Sequence, residues 1–326
     1  MKLFKGKMTY VFIIGLYIIL EILNKTGIIN SYMMQIVKFA GINIIMTVSL
    51  NIINGFTGQF SIGHAGFMAV GAYSSAVITT VLFKTINWPV YMQIPMFLLS
   101  LLVGGLVASF IGFLIGIPTL KLKGDYLAIV TLGFGEIVRA IIRLIQPVGG
   151  ARGLSAIPQY TNLFWVFVFT FLAIYASRNF VNSSFGRACI SIRENEIAAE
   201  TMGIDTTKYK ILSFTFASFM AGVAGGLYGH LLMYLQPDMF SFVKSTDYLV
   251  FLYAGGMSSI SGSIVSALIL TALPEFLRFM SEWRMALYGV LLVILMIKRP
   301  NGLYGGKEFK FLQIKNNKRM LETEQH

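Results

Sequence analysis

The fold class is indicated first by the stretch Gln93-Ile-Pro-Met-Phe-Leu-Leu-Ser-Leu-Leu-Val-Gly-Gly-Leu-Val-Ala-Ser-Phe-Ile-Gly-Phe-Leu-Ile-Gly-Ile117. It carries no charged side chain and exceeds the ~20 apolar residues with which a helix crosses a bilayer. The whole chain of 326 residues shares this character, because 56% are hydrophobic and 12% are charged, against about 25% charged residues in soluble domains. With a mean hydropathy of +0.72, the chain is predicted to be an integral membrane protein.

Similar apolar runs recur along the chain and are continuous, which favours helices over the alternating strands of a membrane barrel. The Gly- and Ser-rich stretch Gly255–Gly262 predicts a turn that divides 241–279 into two crossings or a re-entrant pair. We expect an all-α polytopic bundle of about ten transmembrane helices in a single domain over residues 1–326. The predicted segments lie near 9–23, 32–53, 62–83, 93–117, 126–146, 161–177, 211–235, 241–256, 263–279 and 285–297.

The N-terminal segment has lysines before its apolar run, as a signal peptide does. No small-residue cleavage site follows, so it is predicted to remain as the first span. The net charge of +12 fits the positive-inside rule better than nucleic-acid binding. With ten spans, seventeen Lys and Arg residues fall on one side and five on the other. Both termini, the polar segment 178–210 and the Lys-rich tail 298–326 are therefore expected in the cytoplasm.

Cysteine and histidine usage limits the chemistry available to the chain. Cys189 is alone, which excludes a disulfide framework and a cysteine metal site. His64, His230 and His326 are scattered, so no metal site is expected. The sequence contains no Gly-x-x-x-x-Gly-Lys-Ser/Thr phosphate-binding loop and no convergent nucleophile set. It is therefore not expected to be an enzyme.

A polar segment between two apolar runs is the first candidate functional site. Buried polar groups in a membrane need protein partners or a wet cavity, so this segment is interpreted either as an ordered loop or as part of a transport path. The path candidates are Asn51, Asn54, Thr57, Gln59, Ser61 and His64. Glu136, Arg139 and Arg143 form a second candidate, because spacings of three and seven place these charges on one face of a predicted membrane helix. A local Glu136–Arg139 pair with a structural role is the alternative.

The polar segment 178–210 predicts a short cytoplasmic helix that ends at Gly203. Its apolar side is formed by Ile192, Ile197 and Met202, and its acidic side by three glutamates. It is interpreted as a surface helix or as a docking element for a soluble partner. In the second interpretation this element couples the soluble partner to opening of the membrane path, and its coupling residues are Arg193, Glu194, Glu196, Ala198, Ala199, Glu200 and Gly203. On the opposite side, Gly149–Gly153 is expected to be a flexible loop with one outward cation, Arg152.

Several stretches together resemble the branched-chain amino acid (Liv-type) permease family of ATP-binding-cassette (ABC) importers, and its M-type member in particular. The resemblance covers roughly residues 40–305. In the segment that couples such permeases to ATPases, Ala198, Ala199 and Gly203 match the Glu-Ala-Ala-x-x-x-Gly pattern, whereas Ile197 replaces its glutamate and the nearest acid is Glu196. The stretches that carry the resemblance are Leu50–Tyr73, Lys123–Arg139, Gly153–Pro158, Phe185–Arg187, Arg193–Glu200, Ala254–Met257 and Lys298–Leu303.

The resemblance implies a type II ABC-importer-like permease in a bacterial plasma (inner) membrane. It implies an H-type sister permease, two cytoplasmic ATPase subunits that use ATP and Mg²⁺, an extracytoplasmic solute-binding protein that contacts Arg152, and a small amino acid as solute. No cofactor bound by this chain itself is expected. The same architecture for urea or short amides is the nearest alternative. A secondary transporter is a second one, although no internal repeat is evident.

Overall fold

The computed structural model describes residues 15, 17–23, 26, 30–82, 92–120, 122, 124–280, 283–299, 302–304 and 308–309. These are helical apart from turns, loops and an isolated antiparallel bridge between Leu154 and Leu235, which confirms the predicted all-α architecture. The helices are α1 (Ser31–Asn51), α2 (His64–Val77), α3 (Gln93–Thr119), α4 (Asp125–Leu144), α5 (Leu163–Asn182), α6 (Ser184–Glu194), α7 (Glu196–Thr201), α8 (Thr206–Leu232), α9 (Phe242–Gly255), α10 (Ile260–Phe276) and α11 (Arg284–Lys298).

Nine of the ten predicted spans coincide with helices in this part of the chain, and the first, 9–23, lies largely outside the described residues although 17–23 are helical. Within the described residues, four helical segments are long and apolar enough to cross a membrane by themselves: Ser31–Phe56, Gln93–Thr119, Leu163–Asn182 and Thr206–Leu232. The first of these is α1 extended by the π-helical turn Ile52–Phe56. The helix α9 has 14 residues, about 21 Å at 1.5 Å per residue, and is shorter than the hydrocarbon core.

The centre of the bundle is formed by α2, α3 and α8, which pack against one another along their lengths. A Cβ atom on Gly71 would lie 2.2 Å from the Gly222 Cα, and one on Gly222 would lie 2.8 Å from the Gly104 carbonyl oxygen. Glycine is needed at these positions because the three helix backbones touch. Such close approach replaces the hydrophobic driving force that lipid cannot supply between helices.

The helices α9 and α10 are joined by a tight turn at residues 256–259, as the Gly- and Ser-rich stretch predicts. The pair packs against α1, with α10 along most of its length. The chain segment after α11 returns to the same turn. There the Leu303 amide donates to the Ala254 carbonyl at 2.7 Å, and the Glu308 carboxylate accepts from the Ile260 amide at 2.6 Å and the Ser261 amide at 3.2 Å.

Candidate functional site

The polar segment 178–210 forms two short helices rather than the single helix expected from the sequence. The helix α5 continues to Asn182, and Asn195, in an extended conformation with φ −158°, separates α6 from α7. The Ser183 side chain caps α6, and the Asn195 side chain caps α7 by accepting from the Ala198 amide at 3.0 Å. We call residues 184–203, which comprise α6 and α7, the cytoplasmic hairpin, after its predicted side of the membrane.

The hairpin ends at Gly203, as the sequence predicts. Gly203 has φ 81°, its amide donates to the Glu200 carbonyl at 2.9 Å, and the Ile204 amide donates to the Ala199 carbonyl at 3.0 Å. This pair of bonds is the Schellman motif, in which glycine is preferred because its left-handed conformation carries no steric penalty.

The glutamates of the hairpin are engaged within the chain. The Glu196 carboxylate lies 2.8 Å from the buried ammonium of Lys210, and the Glu200 carboxylate accepts from the Thr206 hydroxyl at 2.7 Å. Glu194 is paired with Arg193. Two of the three acids therefore anchor the hairpin to the start of α8 instead of forming a free acidic side.

The exposed tip of the hairpin carries apolar side chains. Ile197 and Met202 are 70% and 81% exposed, and Ala198 lies between them with an exposed side chain. Ala199 and Ile192 are buried, so the predicted apolar side is divided, with Ile192 on α6 turned into the bundle and Ile197 and Met202 facing outward. The sequence feature that could have indicated this difference is Asn195, which caps α7 and separates it from α6.

The six polar path candidates between α1 and α2 are all buried within this chain. Asn51 at the end of α1 binds the α9–α10 turn: its Nδ2 donates to the Ser259 carbonyl and the Ser263 hydroxyl, each at 2.9 Å, and its Oδ1 accepts from the Ser258 amide at 2.9 Å. The sequence identified Asn51 as a polar candidate and predicted a turn in Gly255–Gly262. Nothing in the sequence indicated that Asn51 is hydrogen-bonded to that turn.

The remaining candidates stabilise the irregular segment itself. The Asn54 side chain donates to the Ser61 carbonyl and accepts from the Ser61 amide, both at 3.2 Å. The Thr57 hydroxyl donates to the Ile52 carbonyl at 2.8 Å. The His64 ring lies 2.7 Å from the Ser49 hydroxyl. The Asn54 and Thr57 bonds satisfy backbone groups that the π-helical turn and the following loop leave outside a regular helix. Ser61 Oγ and His64 Nδ1 are buried without a hydrogen-bond partner among the described residues.

The charged face of α4 is partly exposed. Glu136 and Arg139 form the local ion pair that their spacing predicts, and their side chains remain 32% and 23% exposed. Arg143, one turn further, pairs instead with Asp238 in the 3₁₀ turn Pro237–Phe240 that precedes α9. The opposite face of α4 is buried against α2, where the Thr131 hydroxyl accepts from the Ile62 amide at 3.1 Å.

The loop that follows α4 is ordered by contacts with the segment after α8. The Leu154 amide donates to the Leu235 carbonyl at 2.8 Å, and the Tyr234 hydroxyl donates to the Arg152 carbonyl at 2.7 Å. Short 3₁₀ turns lie at Gln146–Val148 and Gly150–Arg152, the second of them inside Gly149–Gly153, and the flexibility expected of this loop stays a prediction. The Arg152 side chain is exposed on it.

Three comparisons relate the chain to known proteins. A family model described as "Branched-chain amino acid transport system / permease component" matches residues 32–297. The high-affinity branched-chain amino acid transport system permease protein LivM of Salmonella typhimurium is 33% identical over 80% of this chain and 67% of its own length, and that of Escherichia coli is 32% identical over the same shares. The LivH permease of Salmonella typhimurium is 30% identical over 49% of this chain and 53% of its own length. No solved structure matches the chain significantly.

Proposed function

This chain belongs to the family of branched-chain amino acid permeases, and from that premise we propose that it forms one part of the translocation path of an ATP-driven importer in a bacterial plasma membrane. Its relatives are multi-pass transport permeases, and this chain has a transport role of the same kind. A sister permease completes the path, two cytoplasmic ATPase subunits supply the energy from ATP and Mg²⁺, and a binding protein delivers the solute.

The cytoplasmic hairpin is the observation that carries this proposal. A soluble ATPase can act on a membrane path through an element that projects from the bundle and fits a cleft of the partner. The hairpin has an exposed apolar tip at Ile197, Ala198 and Met202, and its base is fixed to α8 through Glu196 and Glu200. Exposed apolar side chains on a rigid support are typical of interface anchors.

The charged face of α4 is proposed to line the translocation path with the sister permease. Glu136 and Arg139 are near the middle of a 20-residue helix, and partly exposed charges at that depth face water or protein rather than lipid. The candidates at 51–64 are proposed to shape the same path indirectly, by supporting the residues that line it. All six side chains are buried within the chain, so direct contact with solute would require this segment to rearrange.

The proposal is tested by purifying the chain together with the candidate partner subunits encoded beside its gene and reconstituting the complex in liposomes. We expect leucine, isoleucine and valine, delivered with the binding protein, to stimulate ATP hydrolysis and to accumulate in the liposomes. Urea and acetamide serve as competing solutes. Stimulation by either of these but not by leucine would contradict the proposed solute, and accumulation without ATP would contradict the ATP-driven class.

Sidedness is tested by labelling introduced cysteines with an impermeant maleimide in intact cells. Cys189 is buried, and burial raises the pKa of its thiol, so the wild-type background should label weakly, and Cys189→Ala removes it altogether. Ser155→Cys, on the exposed outer loop, should label in intact cells, whereas Thr201→Cys, on the hairpin, should label after permeabilisation. Labelling of both cysteines from outside would disprove the assigned orientation.

Arg152 is proposed to contact an acidic surface of the binding protein. Arg152→Glu should reduce the stimulation of ATP hydrolysis by the loaded binding protein, with less reduction at saturating binding protein, because charge at an interface rim acts mainly on association. Gln159→Glu, which adds a negative charge at another exposed position of the same loop, is the matched control. Equal effects of the two substitutions would show a general charge effect and not a contact.

A further inference from the structure

The side chain of Arg193, at the end of α6, reaches into the bundle instead of pointing towards a partner. Its guanidinium donates to the Gly55 carbonyl at 3.1 Å and to the Ser258 hydroxyl. Gly55 is in the π-helical turn that ends the first long helical segment, and Ser258 is in the α9–α10 turn. One side chain of the hairpin thus contacts two separate parts of the membrane bundle.

The two parts that Arg193 contacts are themselves bonded to each other. The Ser258 hydroxyl donates to the same Gly55 carbonyl at 2.7 Å, and the Ser258 amide donates to Asn51 Oδ1 at 2.9 Å. Ser258 has φ 62°, a left-handed conformation that non-glycine residues rarely adopt and that these bonds help to maintain. We call Asn51, Gly55, Arg193, Ser258 and Ser259 the polar junction.

The geometry suits arginine in particular. Arg193 Nη1 donates the bonds to Gly55 and Ser258, while Nε and Nη2 donate to the Glu194 carboxylate. A planar guanidinium holds these two sets of acceptors in a fixed relation and stays charged, whereas a lysine ammonium is a single flexible point charge. A hairpin that moves must therefore either carry Gly55 and Ser258 with it or break charge-assisted hydrogen bonds. Gly58 lies against the same residue, since a Cβ there would be 3.3 Å from the Arg193 Cα. A shift of the hairpin would therefore also displace the backbone at Gly58.

We infer that Arg193 is a positioning residue that transmits movement of the cytoplasmic hairpin to the end of α1 and to the α9–α10 turn, and so links ATP hydrolysis to opening of the path. This inference rests on the proposed function. It assigns Arg193 a role inside the permease, distinct from the role of the exposed tip, which meets the partner.

The functional test measures leucine accumulated per ATP hydrolysed by the complex in liposomes. Arg193→Gln should leave ATPase subunits bound and hydrolysis near normal while the transport ratio falls about tenfold, within the range of coupling between distant sites. Arg193→Lys should restore part of the ratio. Ser258→Ala should lower it as well, and the double variant should be little worse than either single variant, because both remove the same link.

Glu308→Gln is the matched control for this test. Glu308 binds the start of α10, directly after the turn, through the amides of Ile260 and Ser261, so its loss loosens this region without touching Arg193. The transport ratio of Glu308→Gln should remain near that of the wild type. An equal fall in Glu308→Gln, or an unchanged ratio in Arg193→Gln, would overturn the inference and leave Arg193 a structural residue.

A second measurement separates failure of the inference from failure of the proposed function, because it needs no solute. Amide hydrogen exchange is followed in the purified chain in detergent. Gly203→Val, which disturbs the hairpin end, should raise exchange at Ser258 and Ser259, and this response should disappear in an Arg193→Gln background. The same response in both backgrounds would show that the hairpin and the turn are not linked through Arg193, whatever the complex transports.

Discussion

Where α2, α3 and α8 meet, backbone touches backbone, whereas the polar junction joins its segments by side-chain hydrogen bonds. The first contact leaves no space for even a methyl group between Gly71 and Gly222. The second consists of directional bonds from Asn51 and Arg193. A close-packed contact has one arrangement, but a set of hydrogen bonds can break and re-form with other partners. We therefore expect a fixed scaffold at the centre and a movable link near the hairpin, and the following variants test this comparison.

The largest effect is expected from breaking the scaffold. Gly71→Ala places a Cβ 2.2 Å from the Gly222 backbone, so two helices must separate, at a cost of about 3 kcal/mol or more. The melting temperature of the chain in detergent should fall steeply, with loss of folded yield. Gly133→Ala is the control, because nothing lies within 4 Å of a Cβ there. Comparable losses in both variants would show that the close contact is not decisive.

A smaller effect is expected from breaking the junction at Asn51. Asn51→Ala removes three hydrogen bonds and leaves the Ser258 amide without its acceptor, at a cost of about 1–3 kcal/mol. Asn43→Ala, which removes one side-chain bond to Thr271 on α10, should cost about 1 kcal/mol. Thermal unfolding monitored by circular dichroism compares the two. A larger loss in Asn43→Ala would contradict the central place given to Asn51.

The cap of the hairpin should contribute less to global stability and more to function. Gly203→Val forces a β-branched residue into φ 81° at a cost of about 1 kcal/mol or more. Its Cβ would meet nothing within 4 Å, so the cost comes from the backbone alone. Gly203→Asn should be tolerated, because asparagine adopts this conformation more readily. We expect weaker ATPase capture by Gly203→Val in a pull-down, with normal membrane insertion. Equal capture by both variants would exclude the cap from docking.

The smallest effect is expected at the Arg143–Asp238 pair, where both side chains are about half exposed. Exposed ion pairs contribute about 0–1 kcal/mol, so Arg143→Gln should lower the melting temperature slightly, and added salt should reduce the difference. The loss of stability measured for this pair is the reference with which the loss from breaking the polar junction is compared. A salt-insensitive loss as large as that of Asn51→Ala would place Arg143 in a desolvated network instead.

Local rules predicted several elements of the site. The stop at Gly203, the turn in the Gly- and Ser-rich stretch and the Glu136–Arg139 pair involve neighbours within a few positions, so composition and spacing were sufficient. The functional reading of the same residues stays a prediction. The contacts of the junction were not predictable, because Arg193 lies 65 positions from Ser258 and Asn51 lies 208 positions from Ser259. No spacing rule acts over such distances.

By itself, the sequence determined that this is a helical membrane protein, because long uncharged apolar runs in lipid have to satisfy their own backbone hydrogen bonds. It also predicted the stop at Gly203, because capping is a local interaction. The tertiary structure decided which residues of the hairpin face outward. Glu196 is turned inward by Lys210, which lies 14 positions away, and Ile192 is buried while Ile197 is exposed. Whether a side chain faces inward or outward depends on which residues the folded bundle places opposite it. Packing across the whole chain sets which residues those are.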